Sequence, residues 1–183
     1  MIGEHLLFTN RNQQWTKYSI KKKNKNDAFQ LFSKQEQKLF TFGNDLTIYK
    51  EDMKNKECFC RQNEQSMFNY HGIEKALSEN RKSNDIKRIV VIQLKEVNKK
   101  TETDSLNEIT QIEEWTQMKT KETIFDSNKT NWKKDSSLFD AIVLSKEKLL
   151  FFIETTDGIT IGGFMKKKIT KLNRKTLDPD CFL

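Results

Sequence analysis

The sequence predicts an α+β fold built on antiparallel strands. Short runs rich in aromatic and β-branched residues follow one another through the first half of the chain. No helices alternate with them, as a parallel sheet would require. Asp157-Gly158 stands between the apolar runs LLFFIE and ITI, a strong short-range signal for a hairpin. Helical patterns are short and few, so helices edge the strands instead of forming a layer.

In chain order, HLLFT (5–9), WTKYSIK (15–21), AFQLF (28–32), KLFTFG (38–43) and LTIYK (46–50) read as strands. The polar stretches 24–27 and 43–45 supply turns. HGIEKALS (71–78) has room for two helical turns. IKRIVVIQL (86–94) is the strongest strand, and its IVVI centre predicts burial on both faces. EVNKKTETD (96–104) is charged and structureless, the one linker candidate. Ser105 and Glu108 then fit a capping box, and Leu106, Ile109, Ile112 and Trp115 recur every third residue, with Met118 next. That spacing predicts an amphipathic helix with a buried stripe. ETIFD (122–126) is a strand, and SLFDAIVL a short helix capped by Ser136 or Ser137. The hairpin occupies 148–165, with Asp157-Gly158 as a two-residue type I′ turn. Gly162-Gly163 inside its second strand demands a close neighbour, because glycine otherwise weakens a strand.

The 183 residues suit one domain, and clustered apolar runs in a chain 35% hydrophobic favour folding over disorder. No run approaches the roughly 18 apolar residues of a membrane span. MIGEHLLFTN lacks the basic start and long apolar stretch of a signal peptide. Three cysteines are too few for a secreted disulfide scaffold, so reduced thiols and a cytoplasmic location are expected. The net charge of +7 gathers in Lys21–Lys23 and Lys166–Lys168. Such runs attract nucleic acid or anionic lipid, or form a solvated face. No basic stripe interleaves with stacking aromatics.

The sequence carries no catalytic signature. Cys58-x-Cys60 followed by His71 does not match the C-x₂₋₄-C spacing of a zinc site, nor the C-x-x-C of a redox site. His5 and His71 sit in no nucleophile motif, and GITIGGF is not followed by G-K-[ST]. No catalytic, metal-binding or cofactor-binding residue is assigned, and no cofactor is expected. Trp15 and Trp115 read as packing residues. Trp132, in the polar loop SNKTNWKKDS, either folds back onto the domain or, if exposed, is the candidate interaction residue.

The segments IFDSNKTNWKKDSSLFDAIV and LLFFIETTDGITIGGF resemble the front half of a TLDc domain, with Cys181-Phe182-Leu183 matching the beginning of the next strand. HLLFT, LFTFGNDLTIYKED, ECFC with FNYHG, and IKRIVVIQL resemble the back half. The usual glycine-and-glutamate approach to the F-L-F strand is replaced by LDPDCFL, and the tryptophan near the final strand by IVVIQL. The halves stand in reversed order, either as a circular permutation or as a window across two tandem copies. The resemblance implies a two-layer antiparallel β-sandwich edged by two or three helices. Residues 1–95 would form the back-half-like segment, 96–104 a linker and 105–183 the front-half-like segment, together one domain. Asp157 and Gly158 would make the turn, and Gly162 and Gly163 would pack closely against the back half.

The resemblance implies a non-enzymatic interaction module linked to oxidative-stress resistance, with the vacuolar proton-pumping ATPase as partner of some members. A basic nucleic-acid-binding protein is the alternative. For the thiols, the expectation is that purified protein carries no stoichiometric zinc. Cys58→Ser and Cys60→Ser should leave any stress-related activity intact. Metal analysis showing one zinc per chain, lost in either variant, would overturn the assignment.

Overall fold

The computed structural model describes residues 4–11, 14–22, 29–43, 46–50, 58–62, 68–69, 83–96, 112–114, 116–133 and 135–178. Twelve strands run through them in chain order. They are β1 (Glu4–Arg11), β2 (Gln14–Lys22), β3 (Phe29–Leu31), β4 (Lys38–Phe42), β5 (Leu46–Tyr49) and β6 (Phe59–Gln62). Then come β7 (Phe68–Asn69), β8 (Ser83–Glu96), β9 (Met118–Asp126), β10 (Leu149–Thr155), β11 (Thr160–Met165) and β12 (Arg174–Thr176). Every pairing among them is antiparallel. One short helix, α1 (Phe139–Val143), precedes the hairpin.

Hydrogen bonding orders the strands β12-β3-β4-β5-β6-β8-β10-β11-β1-β2-β7, with β9 also on β8. The long strand β8 joins two sets. Its first residues pair with β6, from Ile86 onward it pairs with β10 on one side, and from Val90 onward with β9 on the other. Strands from before and after the segment 96–104 are thus interleaved. β8 lies against β9 and β10, β1 against β11, and β3 against β12.

The alternation of β8 explains its apolar centre. Ile89 and Val91 enter the main core, whereas Ile92 and Leu94 enter a second cluster with Leu150, Phe164, Ile112 and Met118. A strand covered on both faces needs apolar side chains at both parities. A bulge brings Ile86 to the same core as Ile89. Glu154 pairs with Arg88 and Thr155 with Ile86, leaving Lys87 as the extra residue.

The main core is built on phenylalanine. Phe29, Phe40 and Phe42 from β3 and β4 meet Phe151 of β10 at ring-centroid distances of 5.2, 5.1 and 5.6 Å. Phe139 of α1 stacks on Phe40 at 5.5 Å and meets Phe125 of β9 edge-on at 4.7 Å. β4 and β10 share no backbone hydrogen bonds, so these rings join the two strand sets by side chains alone.

Some boundaries differ from the sequence expectations. Residues 112–114 and 116 are helical, but Gln117 takes a φ of +56° and Met118 already belongs to β9. The strand expected over 122–126 therefore begins four residues earlier. Its extra residues pair with the end of β8, Lys119 opposite Lys95. α1 starts at Phe139; Ser137 accepts the Phe139 N–H at 3.2 Å, one residue outside the usual cap position. β12 had no strand-like signal in the polar stretch KLNRKT (171–176) and owes its conformation to pairing with β3. The stretch 71–78, the linker residues 97–104 and the start of the helix at Ser105 lie outside the described residues, as do Trp115 and the C-terminal 181–183.

The tightest approach in the core is at Gly163. A Cβ built there would lie 2.6 Å from Cζ of Phe42 and 2.9 Å from its Cε2. The ring has nowhere to retreat, because Phe29, Phe40 and Phe151 surround it. Gly163→Ala should therefore destabilise the protein by about 1–3 kcal/mol, the usual cost of overpacking. In a Phe42→Leu background the same substitution should cost clearly less than it does alone. Urea unfolding of the four proteins checks this; additive costs would show that the two residues do not touch.

Candidate functional site

The hairpin is where the sequence placed it, but its turn is of another type. Leu149 to Glu154 pair with Met165 to Thr160 in register. Thr155 N–H donates to Ile159 O at 2.9 Å, and Gly158 N–H to Thr155 O at 3.1 Å. The loop thus has three residues, Thr156-Asp157-Gly158, and Gly158 alone takes a positive φ, +83°. This is a type I turn closed by a left-handed glycine, not the two-residue type I′ turn expected. The physical reason is Thr155. Its buried hydroxyl accepts the Ile159 N–H at 3.1 Å and also contacts the Asp157 carboxylate, replacing the backbone bond a shorter loop would make. Asp157 therefore has no need of the left-handed region.

The paired glycines face opposite ways, as strand alternation requires. Gly163 lies on the core face beneath Phe42, opposite Phe151. Gly162 pairs with Phe152 on one side and Phe8 on the other. Both are buried. They sit inside the sheet and line no site.

Trp132 lies in the loop between β9 and α1, half-buried against the main core. The loop is held by its polar residues. The Asp126 carbonyl accepts the Lys129 and Thr130 N–H groups at 2.9 Å each, and its carboxylate accepts that of Asn128 at 3.1 Å. Asn131 accepts the Lys133 N–H at 3.0 Å through its side chain and the Leu138 N–H at 3.0 Å through its carbonyl. Lys34 O accepts the Asp135 N–H, and the Asp140 carboxylate accepts the Lys34 N–H at 2.9 Å. Beside this frame Leu138 is 54% exposed. The tryptophan is thus packed inward, and the leucine is the large apolar side chain this loop exposes.

An ion pair that the sequence does not reveal anchors the loop. Arg88 of β8 grips Asp126 with two hydrogen bonds, Nε to Oδ1 at 3.1 Å and Nη2 to Oδ2 at 2.9 Å. Nη1 also lies 3.7 Å from Glu154. The Arg88 hydrogen bond holds the Asp126 carboxyl below its ordinary pKa, although burial opposes it. The same bond raises Arg88. The partners are 38 residues apart, so no spacing could have announced them.

The two described thiols are packed in or against the core. Cys60 is buried and within 3.4 Å of Asn84 O, and burial pushes its pKa up to about 11. It stays protonated at neutral pH, unsuited to nucleophilic or metal chemistry. Cys58 is half-buried and packs on the main core. His71 lies outside the described residues, and among those described no group of three His, Cys, Asp or Glu side chains could hold a metal. Lys166–Lys168 are exposed. No helix among the described residues is long and apolar enough to cross a membrane.

Comparison with protein-family models, with curated proteins and with solved structures returns no match.

The depressed Asp126 pKa makes a pH prediction. The pair's stabilisation is fully present above the unfolded carboxylate value of about 3.9 and disappears as pH falls through the lower folded value. Asp126→Asn should cost about 1 kcal/mol at neutral pH, near the low end for a charged hydrogen bond because Arg88 is a third exposed. Its deficit should shrink below roughly pH 4. Denaturant unfolding across pH checks this; a deficit constant down to strong acid would contradict the assignment.

Proposed function

We propose that the chain is a non-enzymatic, intracellular protein-interaction module of TLDc type, its reversed halves completing one two-layer β-sandwich. The observation that carries this reading is the interleaving of the halves. IKRIVVIQL, which resembles the closing strand of the family, lies between β9 and β10 of the front-half-like segment. HLLFT lies beside the glycine-bearing strand, and Phe42 fills the space left by Gly163. This is the arrangement expected if residues 1–95 and 105–183 supply complementary parts of one domain. The partner surface is the loop of Trp132 and Leu138, and the partner by resemblance is the vacuolar proton-pumping ATPase, with a role in oxidative-stress resistance. Nucleic-acid binding is the second reading, favoured by the exposed Lys166–Lys168 run.

Binding of the purified chain to the peripheral sector of that ATPase, measured by biolayer interferometry, tests the proposal. Leu138→Ser, a change at an exposed position, should weaken binding by about tenfold, as should Trp132→Ala if the variant unfolds normally. Absence of binding, together with RNA affinity that falls steeply with salt, would replace this reading by the second.

A further inference from the structure

The two lysine runs of the sequence, 145 residues apart, meet at one end of a sheet. β8, β11 and β2 run in one direction, and β10, β1 and β9 in the other. The ends of the first three and the starts of the others therefore share an edge. That edge gathers Lys21 and Lys22 of β2, Lys95 of β8 and Lys119 of β9. Lys146 and Lys148, just before β10, join them, as do Lys166, Lys167 and Lys168, just after β11. Backbone hydrogen bonds stitch the turns together, with Lys148 N–H on Lys166 O at 3.0 Å and Leu94 N–H on Lys148 O at 2.8 Å.

Among the described residues at this edge the acidic ones, Glu4, Glu96, Glu113, Glu114 and Glu147, are fewer than the lysines. Lys148 lies 2.9 Å from Glu96 and 3.9 Å from Glu147, while Glu113 lies 3.9 Å from Lys119. Glu4, at the start of β1, pairs with Lys21 in register. At the opposite end of the same sheet, Asp85, Asp126, Glu154 and Asp157 balance Arg11, Lys87, Arg88 and Lys129. The basic surplus is thus directed along the strands, which general lysine richness would not produce.

One buried carboxylate holds the lysine turn in shape. Asp178, fully buried, accepts the Lys166 and Lys167 N–H groups at 2.7 Å each. The residue before it, Leu177, is 50% exposed. A large apolar side chain is therefore presented next to a polybasic turn.

We propose that this end of the sheet docks on an anionic phospholipid surface. Lysine is a compact, mobile charge that suits a fluid layer of headgroups, and an adjacent exposed leucine adds apolar contact with the interface. Nucleic-acid binding fits the surface less well. Base stacking needs aromatic platforms, and the exposed large hydrophobic residues among those whose side chains are described are Leu138 and Leu177, neither aromatic. The proposal does not depend on the TLDc reading, since its test involves no protein partner.

Cosedimentation of the full chain with vesicles of phosphatidylcholine, with and without phosphatidylserine, tests it. Binding should require phosphatidylserine and weaken with salt. Lys167→Glu/Lys168→Glu should reduce it at least about tenfold, and Leu177→Gln by a smaller factor. Lys87→Glu/Lys129→Glu, an equal charge change at the opposite end, should leave binding within about twofold. Circular dichroism confirms that each variant remains folded. Binding indifferent to phosphatidylserine, or equal losses in the two double variants, would overturn the proposal. So would tight RNA binding by a chain that ignores the vesicles.

Discussion

The packing of Phe29, Phe40 and Phe42 on Phe151 is the interaction on which the rest of the architecture depends. Phe151 comes from a strand that shares no backbone hydrogen bonds with the strands of the other three rings, so this contact is made by side chains alone. Each buried ring contributes about 1.5–3 kcal/mol through area removed from water, and the edge-on and tilted contacts add to it. Phe139 extends the cluster to α1 and Phe125 to β9. The helix and the loop that precedes it are therefore positioned by the same core.

The aromatic core also sets the demand for glycine. A ring wedged among three others cannot yield, and the facing strand must give up its side chain at the point of contact. Gly163 does so. Its neighbour Gly162 is turned to the other face, where it lies between Phe152 and Phe8 in the ladder. Of the two adjacent glycines, Gly163 answers to the Phe42 ring, and Gly162 faces the other side of the strand. Their burial explains why they line no binding surface.

Polar anchoring occupies a separate layer of the design. Arg88 on Asp126, Asp140 on the Lys34 amide and Asp178 on the Lys166 and Lys167 amides each tie a loop to a distant strand or turn. Carboxylates serve well here because each accepts several hydrogen bonds and leaves few buried donors unpaired. The loops so held carry the exposed Leu138 in one case, and the lysine turn beside the exposed Leu177 in the other.

The amino-acid sequence by itself determined the local elements. Period-two apolar runs located most strands, IVVI in β8 announced burial on both faces, and Asp157-Gly158 located the hairpin. These are properties of a few consecutive residues, and the chemistry that encodes them is local. The kind of turn was not legible, because it depends on the hydroxyl of Thr155 taking the place of a backbone bond. β12 was missed because polar residues became a strand only through pairing with β3. Which ring fills the space at Gly163, which arginine grips Asp126, and that two lysine runs share one edge were decided only by tertiary structure. Each joins residues far apart in the chain, and proximity across such distances is set by register and packing, which no short window of sequence contains.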